Sequence, residues 1–162
     1  MKQKDKKSME KGFVVKFAQE IDAVNNARYR AIVTHTIIEL LVDVLVECKC
    51  KHGKDICEQM QYTHAIKLVI LNEANIISDN EFAMLNAMRS IRNKAAHAGK
   101  FILTPKLTKP FGAMNSPDNN CDFSDPNCFL ELCVALVFEF WNAHGSLFTR
   151  YFEPDFGKRK TP

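Results

Sequence analysis

ARYRAIVTHTIIELLVDVLVECKCKH, residues Ala27 to His52, is the stretch on which the fold turns. Between Ile37 and Val46 only Glu39 and Asp43 interrupt an apolar run, so a helix wound from it is apolar on nearly all sides. Such a helix has to be surrounded. The expected element is therefore a long central helix, with Gly53 placed to end it.

Amphipathic stretches lie on both sides of it. Phe13, Val14, Phe17, Ile21 and Val24 recur at helical spacing, which predicts a first helix over residues 9–25 with Ser8 as its cap. A third helix is expected from Asp55 to Ala74, with Met60, Tyr62, Ile66, Val69 and Ile70 on its apolar side. Ser78-Asp79-Asn80-Glu81 has the Ser-x-x-Glu spacing of a capping box and opens a fourth helix, from Asp79 to Ala98, stopped by Gly99. Residues 100–125 have no helical periodicity and hold Pro105, Pro110, Gly112 and Pro117, so they read as a long loop. Asp125 as cap and Pro126 at the first helical position begin a fifth helix that runs to about Arg150.

These elements predict an all-α chain: a single up-and-down-like bundle of about five helices, with one long loop between the fourth and the fifth. The 162 residues suit one domain, with 1–8 and 154–162 as flexible tails. Composition is that of a packed globular domain, with 46% apolar and 25% charged residues. No run approaches the roughly 20 uninterrupted apolar residues that span a bilayer. The opening MKQKDKKSMEK also lacks the apolar segment of a signal peptide, so the expectation is a cytoplasmic protein without membrane contact.

For an unexported chain with its own core, the six cysteines are expected to be free thiols. Cys48, Cys50, His52 and Cys57 are close enough in sequence to suggest a metal cluster. On a helix, however, Cys-x-Cys splays its thiols about 200° apart, which is ill suited to a tetrahedral ion. No metal and no cofactor are expected.

The formal charge of +3 resides in the ends of the chain, because residues 12–150 alone carry −1. A global nucleic-acid footprint is therefore absent, and a local one takes its place. From Phe82 to Pro117 there are six basic residues, Arg89, Arg92, Lys94, Lys100, Lys106 and Lys109, and no acid; Asp118 to Glu139 holds five acids and no base.

The fourth helix carries the pattern that suggests chemistry. Asn93 and His97, four apart, lie about 40° from each other and share a face. Arg92 stands one turn from Met88 and two from Leu85, on the apolar arc, where an unpaired guanidinium is costly. Glu39, with His35 one turn before it, is the intramolecular partner to expect for Arg92, and a buried Arg–Glu pair is the plain structural reading. Arg89, Lys94 and Lys100 would then be solvated surface or an anion-binding patch.

Arg92-Asn93-x-x-x-His97 resembles the Arg-polar-x-x-x-His signature of the HEPN (higher eukaryotes and prokaryotes nucleotide-binding) superfamily of helical bundles. That resemblance implies a dimeric, metal-independent ribonuclease. His97 would be its general acid/base, Arg92 would stabilise phosphate charge, and Asn93 would orient the phosphate. A wider likeness runs through Arg28-x-x-Ala31-Ile32, Ile38-Glu39-Leu40-Leu41, Ala65-Ile66-Lys67-Leu68 before Ile76-Ile77, and Arg89-Ser90-Ile91-Arg92-Asn93 to Ala96-His97, with Pro110-Phe111-Gly112 as a weaker echo. It is similar to the MltR (mannitol operon repressor) family and covers roughly Arg28 to Tyr151. What this likeness implies is transcription regulation. Nothing in the sequence looks like a groove-reading element, so direct DNA binding is not supported and protein contacts are the expected route.

Three functions stay open at this point: a noncatalytic regulator acting through protein–protein contacts, a HEPN-type endoribonuclease with RNA as substrate, and an immunity or antitoxin protein facing a toxin with its acidic stretch. A homodimer is expected under the first two, with a further protein partner. His35 is read as packed or paired with Glu39, His64 as helix surface, and His144 as favouring the dipole near the end of the last helix. Trp141 is assigned to the core or a subunit interface.

Overall fold

In the computed structural model, residues 3–113 and 125–152 are described, with side chains over 12–112 and 125–152. The expected tail 154–162, and the part of the long loop from residue 114 to 124, lie outside the described residues. Among the described residues the fold is all-helical: α1 Gln3–Asp22, α2 Ala27–Lys49, α3 Gly53–Glu58, α4 His64–Glu73, α5 Asp79–His97, α6 Pro105–Thr108 and α7 Pro126–Phe152, with a 3₁₀ turn over Lys109–Ala113.

The stretch Ala27 to Lys49 forms the central helix. Its buried residues, from Ala31 through Ile38, Leu41 and Leu45 to Val46, point in several directions, and α7, α5, α3, α4 and α1 all pack against it. Asn26 caps α2, its side chain accepting from the Arg28 amide at 2.9 Å. At the other end α2 stops at Lys49, short of His52, and Gly53 belongs to the next helix. Gly53 is buried, and a Cβ added there would lie 2.2 Å from the Val46 carbonyl oxygen. The glycine thus lets two backbones touch, a role different from the expected helix stop.

Directions follow from contacts at the helix ends. Arg30 donates to the Pro126 carbonyl at 3.0 Å and Tyr151 Oη donates to Glu47 at 2.6 Å, so α2 and α7 run parallel. Arg28 near the start of α2 meets the carbonyls of Ala98 and Gly99 beyond the end of α5, which makes α5 antiparallel to α2. Phe13 and Phe17 of α1 close over Trp141, with Phe148 and Phe152 completing an aromatic cluster at centroid separations of 5.3 to 6.2 Å. Pairs of this kind add about 0.5–1.5 kcal/mol each beyond their burial.

Four expectations change. The first helix begins at Gln3, so Ser8 sits within it and does not cap its start. The third helix divides into α3 and α4, because Gln59 leaves helical geometry (φ −88°, ψ 122°) and Met60 stands 98% exposed. The loop 100–125 contains α6 and the 3₁₀ turn, pinned to the core by the buried side chains of Leu103 and Phe111. Cys128 is disulfide-bonded, whereas Cys48, Cys50, Cys57 and Cys133 are free thiols.

Among the described residues α7 is the one helix that is membrane-like by length and composition. It is long and apolar enough to cross a bilayer, and 44% of that window is buried inside the fold against its neighbours.

Candidate functional site

The α5 helix is set from both ends. Ser78 Oγ accepts from the Glu81 amide at 3.2 Å while Glu81 Oε2 accepts from the Ser78 amide at 2.8 Å, the reciprocal bonds of a capping box. At the far end Ala98 is extended (φ −77°, ψ 134°), and the guanidinium of Arg28 donates to the Ala98 and Gly99 carbonyls, the latter at 3.2 Å. The chain leaves the helix at Ala98, where a cation takes the first two carbonyls beyond it, and no glycine in the described chain has a positive φ.

Between these ends the core face is Met84, Leu85, Met88, Ile91 and Ala95. Arg92 flanks that face, half-buried, and its Nη1 donates to Asn93 Oδ1 at 3.2 Å. Arg89, also half-buried, donates through Nε to Asn86 Oδ1 at 3.0 Å. His97 is exposed at the last residue of α5, as are Lys94 within it and Lys100 beyond it. Arg92 and Asn93 thus touch each other, while no bond joins either to His97.

Glu39 is not the partner of Arg92. Among the described residues the ion pairs are His35–Glu39, His52–Asp55, Lys67–Asp43 and His144–Glu81, so none of the six basic residues from Arg89 to Lys109 faces a carboxylate. Glu39 is half-exposed and lies 3.8 Å from His35 Nδ1 on its own helix, too far for a hydrogen bond. The polar bonds of Arg92 and Arg89 go to neighbouring amides, and both guanidiniums keep donors for something else.

What the two arginines do face is a buried pair of imidazoles. His35 of α2 and His64 of α4 are 4% and 8% exposed, their rings meet edge to face at 4.7 Å, and no ring nitrogen of either has a hydrogen-bond partner. Burial, reinforced by Arg92 and Arg89, pushes the His35 pKa down to about 4. Burial, with His35, Arg89 and Lys67, pushes that of His64 down to about 3. Both rings are neutral near pH 7.

His64 is therefore no surface residue, and α4 lies on the bundle by an unexpected face. It buries His64, Lys67, Leu68 and Leu71 and turns Ile66 and Val69 outward, at 42% and 47% exposure. Lys67 is satisfied inside by Asp43 at 2.7 Å. The stripe His64, Leu68, Leu71, spaced i, i+4, i+7, carries the correct face in the sequence, yet Ile66, Val69 and Ile70 make the stronger apolar signal.

A cleft of about 200 Å³ opens between α5 and α7, floored by Met84, Leu85, Leu136 and Phe140 and rimmed by Asn80, Glu81 and Glu139. Glu81 is held there by His144 Nε2 at 3.1 Å. Among the described residues no group of three His, Cys, Asp or Glu side chains is arranged to hold a metal. Arg92, Asn93, His97 and the basic residues around them form a surface that can attract an anion, and α4 presents an apolar surface beside it in the chain.

No protein-family model matches the sequence, and neither a curated protein nor a solved structure matches it significantly.

Proposed function

We propose that the protein is a noncatalytic regulatory module of the MltR-like kind, which acts through protein contacts and first of all through contact with a second copy of itself. The observation that carries this reading is the inverted amphipathy of α4. A helix that buries a histidine and a lysine while turning Ile66 and Val69 to solvent has its most apolar surface on the wrong side for a monomer. Ala65, Ile66, Val69 and Ile70 make this stripe uncharged over two turns, with Glu73 at its end. An uncharged stripe is self-complementary, which suits the isologous contact of a two-fold dimer.

Sedimentation equilibrium of the full chain, with the double substitution Ile66→Glu and Val69→Glu, tests the reading. The expected result is a dimer that the substitution converts to a folded monomer. A wild-type chain that stays monomeric at about 100 μM, well above useful dimer affinities, removes the self-association part. An unchanged dimer in the double variant removes α4 as its interface.

A second reading is favoured by a separate observation: Arg92 is bonded within the motif to Asn93, none of the described carboxylates neutralises the basic stretch, and His97 is exposed. It is the HEPN-type, metal-independent endoribonuclease, with His97 as general acid/base and Arg92 on the phosphate. Cleavage of a labelled RNA strand in EDTA, lost in both His97→Ala and Arg92→Ala, supports it. Undiminished cleavage in the two variants, or none by the wild-type dimer, eliminates it.

A further inference from the structure

We propose that His35 and His64 form a proton-sensitive latch, which holds α4 on the bundle while both rings are neutral and releases it when either becomes charged. The geometry is that of two buried rings on different helices, edge to face at 4.7 Å, with no hydrogen bond to any of their nitrogens. A neutral pair in that position packs as an aromatic contact. An imidazolium would need its charge and two N–H donors answered inside the protein.

The surroundings answer neither. From α5, Arg89 and Arg92 face His35, and Arg89 also faces His64; from α4 itself, Lys67 faces His64. Asp43 of α2, the carboxylate nearest to Lys67, is already engaged by its ammonium at 2.7 Å. Among the described residues Glu39 of α2 is the one carboxylate within 4 Å of either ring, 3.8 Å from His35 Nδ1, and His64 has none. A proton arriving at the pair therefore meets two arginines, a lysine already paired with Asp43, and one distant, half-exposed carboxylate. Burial first, and these cations after it, hold the pKa values of both rings low.

Relief comes most simply from moving α4. It is a ten-residue helix, entered through the non-helical segment Gln59 to Thr63 and left through Asn75 at φ 54°. Besides His64 and Lys67 its buried residues are Leu68 and Leu71, a small apolar anchor. Undocking would let His64 hydrate and separate it from Arg89. If α4 is also the interface proposed above, acidification would disrupt self-association as well; that step rests on the interface reading, whereas the undocking does not.

Amide hydrogen exchange of the full chain, corrected for the intrinsic pH dependence, is to be compared between pH 7 and pH 5 for α4 and α7. With a ring of ordinary pKa near 6.5 in the released state and about 4 in the docked state, protection of α4 should fall on the order of 30-fold per histidine at pH 5, and that of α7 much less. His64→Phe, which keeps an aromatic ring and removes the charge, should lower that dependence by the share of one histidine. Equal loss of protection in α4 and α7, or an undiminished dependence in a folded His64→Phe, would overturn the latch. A wild-type measurement serves if the variant does not fold: ring carbon-bound proton shifts of His35 and His64 should stay in their neutral position down to pH 5.5, and titration of both near 6.5 in the folded chain would also overturn it.

Discussion

Glu81 and His144 join the start of α5 to the last third of α7, with Nε2 and Oε1 3.1 Å apart while the other Glu81 oxygen accepts from the Ser78 amide at 2.8 Å. One carboxylate thus serves both a helix cap and a tertiary contact. His144, burial notwithstanding, and the Ser78 bonds hold the Glu81 pKa down to about 2. A carboxylate depressed in the fold stabilises it fully above its unfolded pKa, near 4.3, and that contribution fades as pH falls through the folded value. Glu81→Gln is expected to cost about 2–3 kcal/mol in urea unfolding at pH 7, with the difference from wild type shrinking between pH 4.3 and pH 2. A penalty that does not change across that window would assign Glu81 a packing role alone.

The capping box is also the part of the site most legible in the sequence, because Ser78 and Glu81 act on each other within one turn. The central helix and the Asp125-Pro126 start of α7 are local in the same sense: Asp125 Oδ1 accepts from the amides of Asn127 and Cys128 at 2.8 and 3.2 Å. What local spacing does not contain is a partner on another helix. Lys67 and His64 are buried because Asp43 and His35 lie opposite them, so the apolar periodicity of α4 points to the wrong face. Glu39 and Arg92 fail to pair for the same reason: their meeting depends on how α2 and α5 are rotated against each other. The division of α3 from α4 has no glycine or proline to announce it, since Gln59 to Thr63 is polar but otherwise unremarked.

Lys67 and Asp43 provide a test of that buried face. The ammonium is nearly inaccessible, and its 2.7 Å contact with the carboxylate is its one hydrogen bond among the described residues. Asp43→Asn leaves the charge buried with a weaker acceptor and is expected to destabilise by about 2–3 kcal/mol. Lys67→Met removes the charge and keeps the stem's packing, so it should cost less than about 1 kcal/mol, and the double variant should be close to it. Equilibrium urea unfolding of all three, read as a double-mutant cycle, decides the matter. A larger loss for Lys67→Met than for Asp43→Asn would show that the pair stabilises α4 beyond its own desolvation.

Gly53 and Gly99 separate close approach from mere punctuation. Alanine at Gly53 would place its Cβ 2.2 Å from the Val46 carbonyl oxygen and 2.6 Å from Glu47 Cα, backbone atoms that cannot swing aside. The α3 helix would have to lift from the end of α2, at an expected cost of about 3 kcal/mol. Alanine at Gly99 meets nothing within 4 Å and no positive φ, so a change within about 0.5 kcal/mol is expected. Thermal unfolding of the two variants checks the contrast, and equal shifts in Tm would contradict it.

Arg28 offers a test of how the end of α5 is held, and with it His97. Its guanidinium spans from the first turn of α2 to the carbonyls of Ala98 and Gly99, seventy and seventy-one residues further on. Charged donors on helix-end carbonyls are worth about 1–3 kcal/mol when buried, and this contact is partly exposed, so about 1 kcal/mol is the expected loss in Arg28→Met. The distinctive outcome is local. Amide exchange should accelerate over Ala95 to Gly99 far more than over Met84 to Ile91, whose side chains are set in the core. Should the variant instead lose protection evenly along α5, Arg28 would be a general brace between helices and not the terminus of this one.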